Sequence, residues 1–315
     1  MAHYLVTGGC GFIGAHLVKS LLAGGDDVTV LDNLSTGSRD AIPSSVPLIT
    51  CNAADGKQMR TAFAGIDGCF HLAGDPSVPR CLEDYLGAHL TNQTGTVAVL
   101  DAAARAGAAG GKAVPVVYAS SCAVYGMPEK APLNEDAATV PLSGYGVDKL
   151  AGEAHARVTA DLLGVHSVGL RYFNVFGPGQ SPTSPYAGVI SIFAGRLKRG
   201  DPLTIHGDGS QVRDFIYVGD VINRTLQAMD FAIKHRDTKA QAHILNVCTG
   251  YPTSVLDAAN TLAKLLDVNP NITFEAFRAG DVPVSLGDPS RAEQILGTMT
   301  PTSLSDGLAA TIDAL

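Results

Sequence analysis

The chain has 315 residues, 46% of them hydrophobic and 17% charged, without a long polar or single-sign run, which excludes an intrinsically disordered protein and allows a large buried core. Thirty acidic against 22 basic side chains leave a net charge of -8, so no nucleic-acid partner is expected and any anionic ligand must be held by local donors. No apolar run approaches the ~18 residues that span a bilayer, which predicts no membrane partner and a cytoplasmic protein.

In chain order, short β-branched runs alternate with helical patterns. Strands are predicted at Tyr4–Thr7, Val28–Leu31, Pro47–Thr50, Gly68–His71, Val114–Ala119 and Ser167–Leu170. Helices are predicted between them at Ile13–Ala23, Gly56–Ala64, Tyr85–Ala106 and Tyr145–Leu163. This alternation predicts an α/β fold, a Rossmann-type doubly wound parallel sheet covered by helices on both faces. After Arg171 the pattern loosens around Gly177, Pro178, Gly179, Pro182 and Pro185. Strands at Leu203–Ile205 and Ile272–Phe277 and a helix at Val189–Lys198 then predict a smaller, irregular α/β substrate-binding lobe. Phe215–Val218 and His243–Val247 read as buried strands that return to the first sheet. The expected division is a nucleotide-binding domain over 1–173, with 213–247 returning to it, and a second domain of 174–212 and 248–315.

The six cysteines (Cys10, Cys51, Cys69, Cys81, Cys122, Cys248) form no CxxC pair and read as free thiols. The nine histidines show no HxxxH or HExxH spacing, so no metal is expected. The N-terminus lacks the basic segment of a secretory signal and reads as a strand, a turn and a helix.

Gly8, Gly11 and Gly14 fall between the first strand and the first helix. That placement gives a tight turn, a close approach of backbone amides to a pyrophosphate, and a close helix–strand contact. Asp32 ends the second strand about 20 residues on, where a carboxylate accepts hydrogen bonds from ribose hydroxyls. A carboxylate there, followed by Asn33 and not by arginine, repels a 2′-phosphate, so the pattern predicts NAD over NADP. Tyr145 and Lys149, four apart on one helical face, place an ammonium near a phenol and favour its ionised form. Ser120 and Ser121 end a buried strand where ligands bind in such sheets, and a hydroxyl there can share a substrate proton. Capping of the following turn is the alternative role, and it suits Ser120 better than Ser121.

At these residues the sequence resembles the extended short-chain dehydrogenases, specifically the sugar-nucleotide epimerase/dehydratase family. The shared motifs run in order: TGGCGFIG at Thr7–Gly14, LDN at Leu31–Asn33, HLAG at His71–Gly74, NQTGT at Asn92–Thr96 and SSCAVYG at Ser120–Gly126. They continue with YGVDK at Tyr145–Lys149, LRYFNVFGP at Leu170–Pro178, GDGSQVRDFIYV at Gly207–Val218 and RAGDVPVSLGD at Arg278–Asp288. The resemblance implies a catalytic set of Ser121, Tyr145 and Lys149. It implies contacts to NAD from Phe12, Ile13, Asp32, Asn33, Leu72, Ala73, Gly74, Asn92 and Phe173, besides the glycines. It assigns Asn174, Arg213 and Arg278 to the diphosphate of a nucleotide sugar and Val189 and Thr204 to the uridine region. Arginine's planar fork suits phosphate oxygens. Asn52 stands where the family commonly has an aspartate facing the adenine, and an amide can replace it as a hydrogen-bonding group. Asp75 and Pro76 depart from a pattern that often brings a lysine near the nicotinamide.

The family members implied here share hydride abstraction from the sugar's C4 and diverge afterwards. Dehydratases carry an Asp-Glu pair, and decarboxylating relatives a Glu, where this chain has Cys122 and Ala123, which supply no carboxylate. The expectation is therefore 4-epimerisation of a UDP-hexose with tightly bound NAD. Another NAD-dependent sugar-nucleotide enzyme (a uronate epimerase, dehydratase or reductase) and a non-catalytic NAD-binding sensor are the alternatives. The resemblance further implies that the position seven residues after Arg278 lines the pocket beside the sugar's C2 substituent. Ser285, where relatives restricted to plain hexoses have tyrosine, predicts room for an acetamido group. A homodimer is expected through the helices containing Tyr85–Ala106 and Tyr145–Leu163, across exposed faces with Ala98, Ala102, Ala151 and Ala154.

Overall fold

The computed structural model describes residues 1–108, 112–182, 188–277 and 280–315. Strand β1 (His3–Thr7), helix α1 (Phe12–Ala23), β2 (Asp27–Asp32), β3 (Leu48–Thr50), α2 (Gly56–Ala62) and β4 (Gly68–His71) open the chain. Short helices α3 (Val78–Glu83) and α4 (Tyr85–His89) lead through a π-turn at Leu90–Thr94 into α5 (Gly95–Ala108) and β5 (Val116–Ser121). Then come α6 (Gly144–Leu163), β6 (Ser167–Tyr172), β7 (Asn174–Phe176), α7 (Val189–Arg199), β8 (Leu203–His206), β9 (Val212–Arg213) and β10 (Phe215–Tyr217). The remainder is α8 (Val218–His235), β11 (Ala242–Val247), β12 (Thr253–Ser254), α9 (Val255–Leu265), β13 (Ile272–Glu275), β14 (Val284–Ser285), α10 (Ser290–Leu296) and α11 (Leu304–Asp313).

Seven strands form one sheet in the order β11-β6-β5-β4-β1-β2-β3. β1 pairs in parallel with both β2 and β4, β2 with β3, and β4 with β5. The order reverses at β1 and β4, so the strand ends there open a crevice of the kind that holds ligands in doubly wound sheets. Central strands buried on both faces read as continuous apolar runs, which is why Leu5, Val6, Val30, Leu31, Cys69, Phe70, Val116 and Val117 are all inaccessible.

The chain divides into two compact units. The first comprises Met1–Val124, Ser143–Arg171 and Ile222–Leu245, and the second Tyr125–Leu142, Tyr172–Val221 and Asn246–Leu315. In the first, α5 turns Val99, Leu100, Ala102 and Ala103 into a core with Met59, Phe63 and Val116. Ala102 is thus interior, 1% exposed, and not on the outer face expected for it. It sits three residues from Val99 on the same helical stripe. Ala98 and Ala151 are half-buried, and of the four alanines Ala154 is exposed. The outward apolar side chains are larger ones: Leu82, Tyr85 and Leu86 on α3 and α4, and Val147, Val158 and Leu162 on α6.

In the second unit, Phe176, Ile190, Phe193, Leu203, Ile205, Phe215, Leu262 and Leu308 form the core. Strand β10 does not join the seven-stranded sheet, contrary to the expectation for Phe215–Val218. It pairs in parallel with β7, Phe215 opposite Asn174, in a sheet of two. Its apolar pattern reports burial and carries no information about the partner strand. β9 pairs with β12 and β14, and β8 with β13. Asp214, fully buried between β9 and β10, accepts from the Thr249 amide and hydroxyl (2.8 Å each) and from the amides of Gly250 (2.9 Å) and Gly287 (3.2 Å). Among the described residues no helix is long and apolar enough to cross a membrane.

Beneath the first unit's strand ends lies a dry ionic cluster. Arg171 donates from Nε to Glu153 Oε1 (2.9 Å) and from Nη2 to Oε2 (2.7 Å), and Ser120 Oγ donates to the same Oε1 (2.6 Å). Both charged side chains are nearly inaccessible, at 5% and 7%. Glu153→Ala removes the carboxylate that faces a guanidinium in a low-dielectric interior and should destabilise the fold by about 3–5 kcal/mol in urea unfolding. A loss below about 1 kcal/mol, the scale of a surface pair, would show that the site is open to water.

Candidate active site

The turn after β1 is built by glycine geometry. Gly8 sits at φ +71°, and a Cβ there would lie 2.6 Å from the Ala73 amide nitrogen. A Cβ on Gly14 would come 2.1 Å from the Gly8 carbonyl oxygen, so α1 begins directly against the turn. Gly11 caps α1 without any side-chain hydrogen bond, which leaves the first amides of the helix, at Phe12 and Ile13, free of a side-chain partner. Asp32 is buried at the end of β2, where its carboxylate accepts from the Cys10 amide (2.9 Å) and the Leu34 amide (2.8 Å).

A cavity of about 280 Å³ opens over this turn, and Gly8, Gly11, Asp32, Asn33, Asn52, Leu72, Ala73 and Gly74 line it. These eight are among the residues expected to contact a cofactor. Asn52 uses Oδ1 to accept from the Ala54 amide (2.9 Å), so its amide group keeps its donor side for a ligand. The residues fit a dinucleotide. A cradle that any Cβ would fill, an uncapped helix start and a carboxylate are what a pyrophosphate and its adjoining ribose require. Ser35, Thr36, Arg80, Asp84, Gly87, Ala88 and Thr91 also line the cavity, although the sequence reading did not single them out. Arg80 is paired with Asp75 at 3.0 Å. No regular spacing links these positions to the glycine turn.

Asn92 is fully buried in the π-turn, a form that often marks functional positions. Its Oδ1 accepts from the Asp75 amide (2.7 Å) and its Nδ2 donates to the Asp75 carbonyl (3.2 Å). A Cβ on Gly74 would lie 3.0 Å from Asn92 Oδ1 and 3.3 Å from Lys149 Nζ, so Gly74, Asn92 and Lys149 converge.

Ser143 caps α6 by accepting from the Gly146 amide (3.1 Å), which sets Tyr145 in the first turn and Lys149 one turn later. Lys149 Nζ stands over the Tyr145 ring, 5.7 Å from its centroid, and donates to the Ala119 carbonyl (2.8 Å) on β5. Ser121, at the end of β5, lies by the Tyr145 phenol and favours its ionised form. Its Oγ also accepts from the Ala123 amide (3.1 Å), so Ser121 caps the turn, while Ser120 is committed to Glu153. The capping role thus falls to Ser121 and not to Ser120, because alternation along β5 points Ser120 into the packed side of the sheet.

Burial dominates the electrostatics. It pushes the Tyr145 phenol up to about 12 against the lowering effect of the Ser121 hydrogen bond, and it pushes Lys149 down to about 8. The protein alone therefore keeps Tyr145 protonated at neutral pH, and the expected shift toward phenolate concerns the ammonium together with a cationic nicotinamide ring. His71, buried behind the site, is driven down to about 3 by burial and then by the Lys149 charge.

The expected substrate residues lie in the second unit. Asn174 gives its backbone amide (3.0 Å) and its Nδ2 (3.2 Å) to the Asp214 carbonyl. The Asp214 amide in turn bonds the Ser285 carbonyl (2.8 Å), and Ser285 stands in register with Arg213. Asn174, Arg213 and Ser285 are thus gathered around Asp214. Arg213 Nη1 donates to the carbonyls of Val212 (2.8 Å) and Val282 (2.7 Å), and Nη2 pairs with Asp281. Val189 begins α7, and Thr204 on β8 accepts from Arg196 Nη1 (3.2 Å). Phe173 is buried, with its ring 6.4 Å from that of Tyr125. Arg278 lies outside the described residues.

Residues 4–248 match the family model described as the NAD dependent epimerase/dehydratase family. A putative UDP-glucose 4-epimerase of Methanocaldococcus jannaschii is 33% identical over 307 residues, 96% of this chain and 95% of that protein. The UDP-glucose 4-epimerase of Thermotoga maritima, solved with UDP-glucose, superposes with a TM-score of 0.91 at 32% identity, covering 99% of this chain and 98% of that one. A UDP-N-acetylglucosamine 4-epimerase from Methanobrevibacter ruminantium M1, solved with UDP-N-acetylmuramic acid, gives 0.90 at 29% identity over 99% and 97%. With the glycine cradle, the Ser121–Tyr145–Lys149 cluster and a family match over most of its length, the chain belongs to the NAD-dependent epimerase/dehydratase family.

Proposed function

We propose that the protein is a UDP-hexose 4-epimerase that interconverts UDP-glucose with UDP-galactose and UDP-N-acetylglucosamine with UDP-N-acetylgalactosamine. The observation that carries the reading is the Ser121–Tyr145–Lys149 cluster at the end of β5, followed by Cys122 and Ala123 in place of carboxylates. Elimination or decarboxylation calls for such a carboxylate, whereas epimerisation calls for one proton-handling group and a hydride carrier. When bound, NAD supplies the hydride acceptor for C4 and a cationic ring whose charge favours the Tyr145 phenolate. Tyr145 Oη takes the proton of the 4-hydroxyl, and Ser121 shares that proton through its hydrogen bond. Lys149 holds positive charge over the phenol ring. Arg213 and Asn174 keep the diphosphate anchored while the 4-keto sugar turns its other face to the site. Tyr145 would then return the proton to the same oxygen while the hydride held by the cofactor would return to C4 on the opposite face, so substrate and product have equal mass.

The purified protein should interconvert epimers from a panel of UDP-sugars without accumulating reduced cofactor in solution. Tyr145→Phe should keep the fold and the bound NAD but lower turnover by more than about 100-fold, the scale of general-base catalysis. A product of altered mass, or stoichiometric reduced cofactor, would assign the chain to another sugar-nucleotide reaction, and no turnover of any sugar would leave an NAD-binding sensor.

Ser285, half-buried on β14, supports acceptance of the acetamido sugars, because a hydroxymethyl group leaves space that a phenol fills. Ser285→Tyr should abolish turnover of the N-acetylated pair and leave the plain pair largely intact. Equal handling of all four sugars by this variant sinks the pocket assignment while sparing the epimerase reading.

The exposed Leu82, Tyr85 and Leu86 together with Val147, Val158 and Leu162 support a homodimer through α3, α4 and α6, since apolar faces of this kind are normally covered. Light scattering should give twice the chain mass at micromolar concentration, and Leu86→Glu with Leu162→Glu should halve it. A wild-type monomer would refute the dimer.

A further inference from the structure

We infer that Arg80, on α3, binds the diphosphate of the dinucleotide through its guanidinium, and that Asp75 orients it for that contact. The inference rests on the reading of the cavity over the glycine turn as the dinucleotide site, and it adds two side chains that the sequence reading did not assign to it. That cavity, of about 280 Å³, is lined by three acidic side chains, Asp32, Asp75 and Asp84, and by one cationic side chain, Arg80. A diphosphate entering such a space meets like charge, and little water is present to screen it. The start of α1, which Gly11 leaves without a side-chain cap, offers only the partial charge of a helix dipole, about half an elementary charge. A guanidinium offers a full charge, in a planar fork that matches phosphate oxygens.

Arg80 is held by contacts that leave its fork open. Its amide donates to Ser77 Oγ (3.2 Å), and its Nε meets Asp75 Oδ2 at 3.0 Å. Among the described residues Nη1 and Nη2 have no hydrogen-bond partner, so a guanidinium oriented through Nε keeps four N–H donors. Asp75 is itself fixed. The buried Asn92 accepts from its amide (2.7 Å) and donates to its carbonyl (3.2 Å), while Asp75 Oδ1 accepts from the Ser77 amide (3.1 Å). The other two acidic side chains are engaged with backbone amides, Asp32 with Cys10 and Leu34, and Asp84 with Gly87 (3.0 Å). The Arg80 side chain is 35% exposed, so packing does not seal it away from a ligand.

The test is the dissociation constant for NAD, measured by equilibrium dialysis of the full chain at low and at high salt. Arg80→Gln should bind NAD about 10- to 100-fold more weakly at low salt, the scale of a charge-assisted hydrogen-bonded pair. Arg80→Glu should lose more, and Arg80→Lys, which keeps the charge without the fork, should lose less. The gap between wild type and Arg80→Gln should narrow at high salt, because the contact is partly open to water. Each variant keeps the backbone bond to Ser77, so the fold should survive, and circular dichroism checks that it does. A merely structural role for Arg80 would give Arg80→Gln and Arg80→Glu equal losses that salt does not change. That result, or affinities within about twofold of wild type in both variants, overturns this inference alone when Asp32→Ala weakens NAD binding. Unchanged affinity in Asp32→Ala would instead remove the reading of the cavity on which it rests.

Discussion

The contact between the first helix and the first strand turn sets the terms for the nucleotide-binding unit. Any side chain at Gly14 would overlap the Gly8 carbonyl oxygen, and any side chain at Gly8 would overlap the backbone at Leu72 and Ala73. Two backbones therefore approach closely enough to bring three segments, the β1 turn, the start of α1 and the end of β4, to one point. Gly11, at the uncapped start of α1, lines the same opening that Asp32 borders. Glycine is required here for reasons of space, and at Gly8 also of backbone conformation, since φ +71° is costly for other residues.

Dry surroundings determine how the polar groups behind this opening behave. His71 illustrates the point. Thr96 Oγ1 gives its proton to the Asn92 carbonyl (2.7 Å), so it must accept from His71 Nε2 (3.1 Å). His71 Nδ1 then carries no proton and accepts from Thr7 Oγ1 (2.7 Å). The tautomer follows from the network, and it agrees with an imidazole that burial keeps neutral down to about 3. One neutral ring thereby ties the end of β1 to the π-turn that carries Asn92. The same desolvation raises Tyr145 and lowers Lys149, so the unliganded pair sits in its least charged arrangement compatible with one ammonium. A site of this kind answers strongly to each added charge, because little water is present to screen it.

The sequence makes the repeating features legible and leaves the particular contacts obscure. The glycine spacing, the carboxylate at Asp32 and the i, i+4 relation of Tyr145 to Lys149 follow from local periodicity, and the structure has them on the elements expected. The parallel, helix-covered character of the sheet follows from the alternation of strands and helices. What escaped is non-local. Glu135 accepts from the Asn246 amide (2.7 Å) across 111 residues, and Tyr125 donates to Asn246 Oδ1 (2.7 Å) across 121, which ties Tyr125–Leu142 into the second unit. Neither contact leaves a periodic trace. The pairing of β10 with β7 escaped for the same reason. Ala102 was misplaced because an alanine suits a tight interior and an outer face equally well. The turn cap was expected of Ser120 and found at Ser121 because side-chain alternation in a six-residue strand is decided by where that strand begins.

Arg213 shows how a cationic donor can be held ready in an otherwise acidic protein. A guanidinium has five N–H groups. In Arg213 both protons of Nη1 are committed to the carbonyls of Val212 and Val282, and one of Nη2 to Asp281. Those three bonds fix the plane of the group, and among the described residues its Nε–H and one Nη2–H have no hydrogen-bond partner. The Asp281 carboxylate offsets part of the charge, which lowers the cost of keeping the arginine 14% exposed when no anion is near. A lysine could not be fixed in this way, because its ammonium has three donors and no plane. On the reading of Arg213 as a diphosphate contact, geometry and not net charge selects the ligand: a forked oxygen pair is favoured over a single monodentate anion. On the same reading, that selectivity suits a protein whose net charge of -8 repels anions over most of its surface.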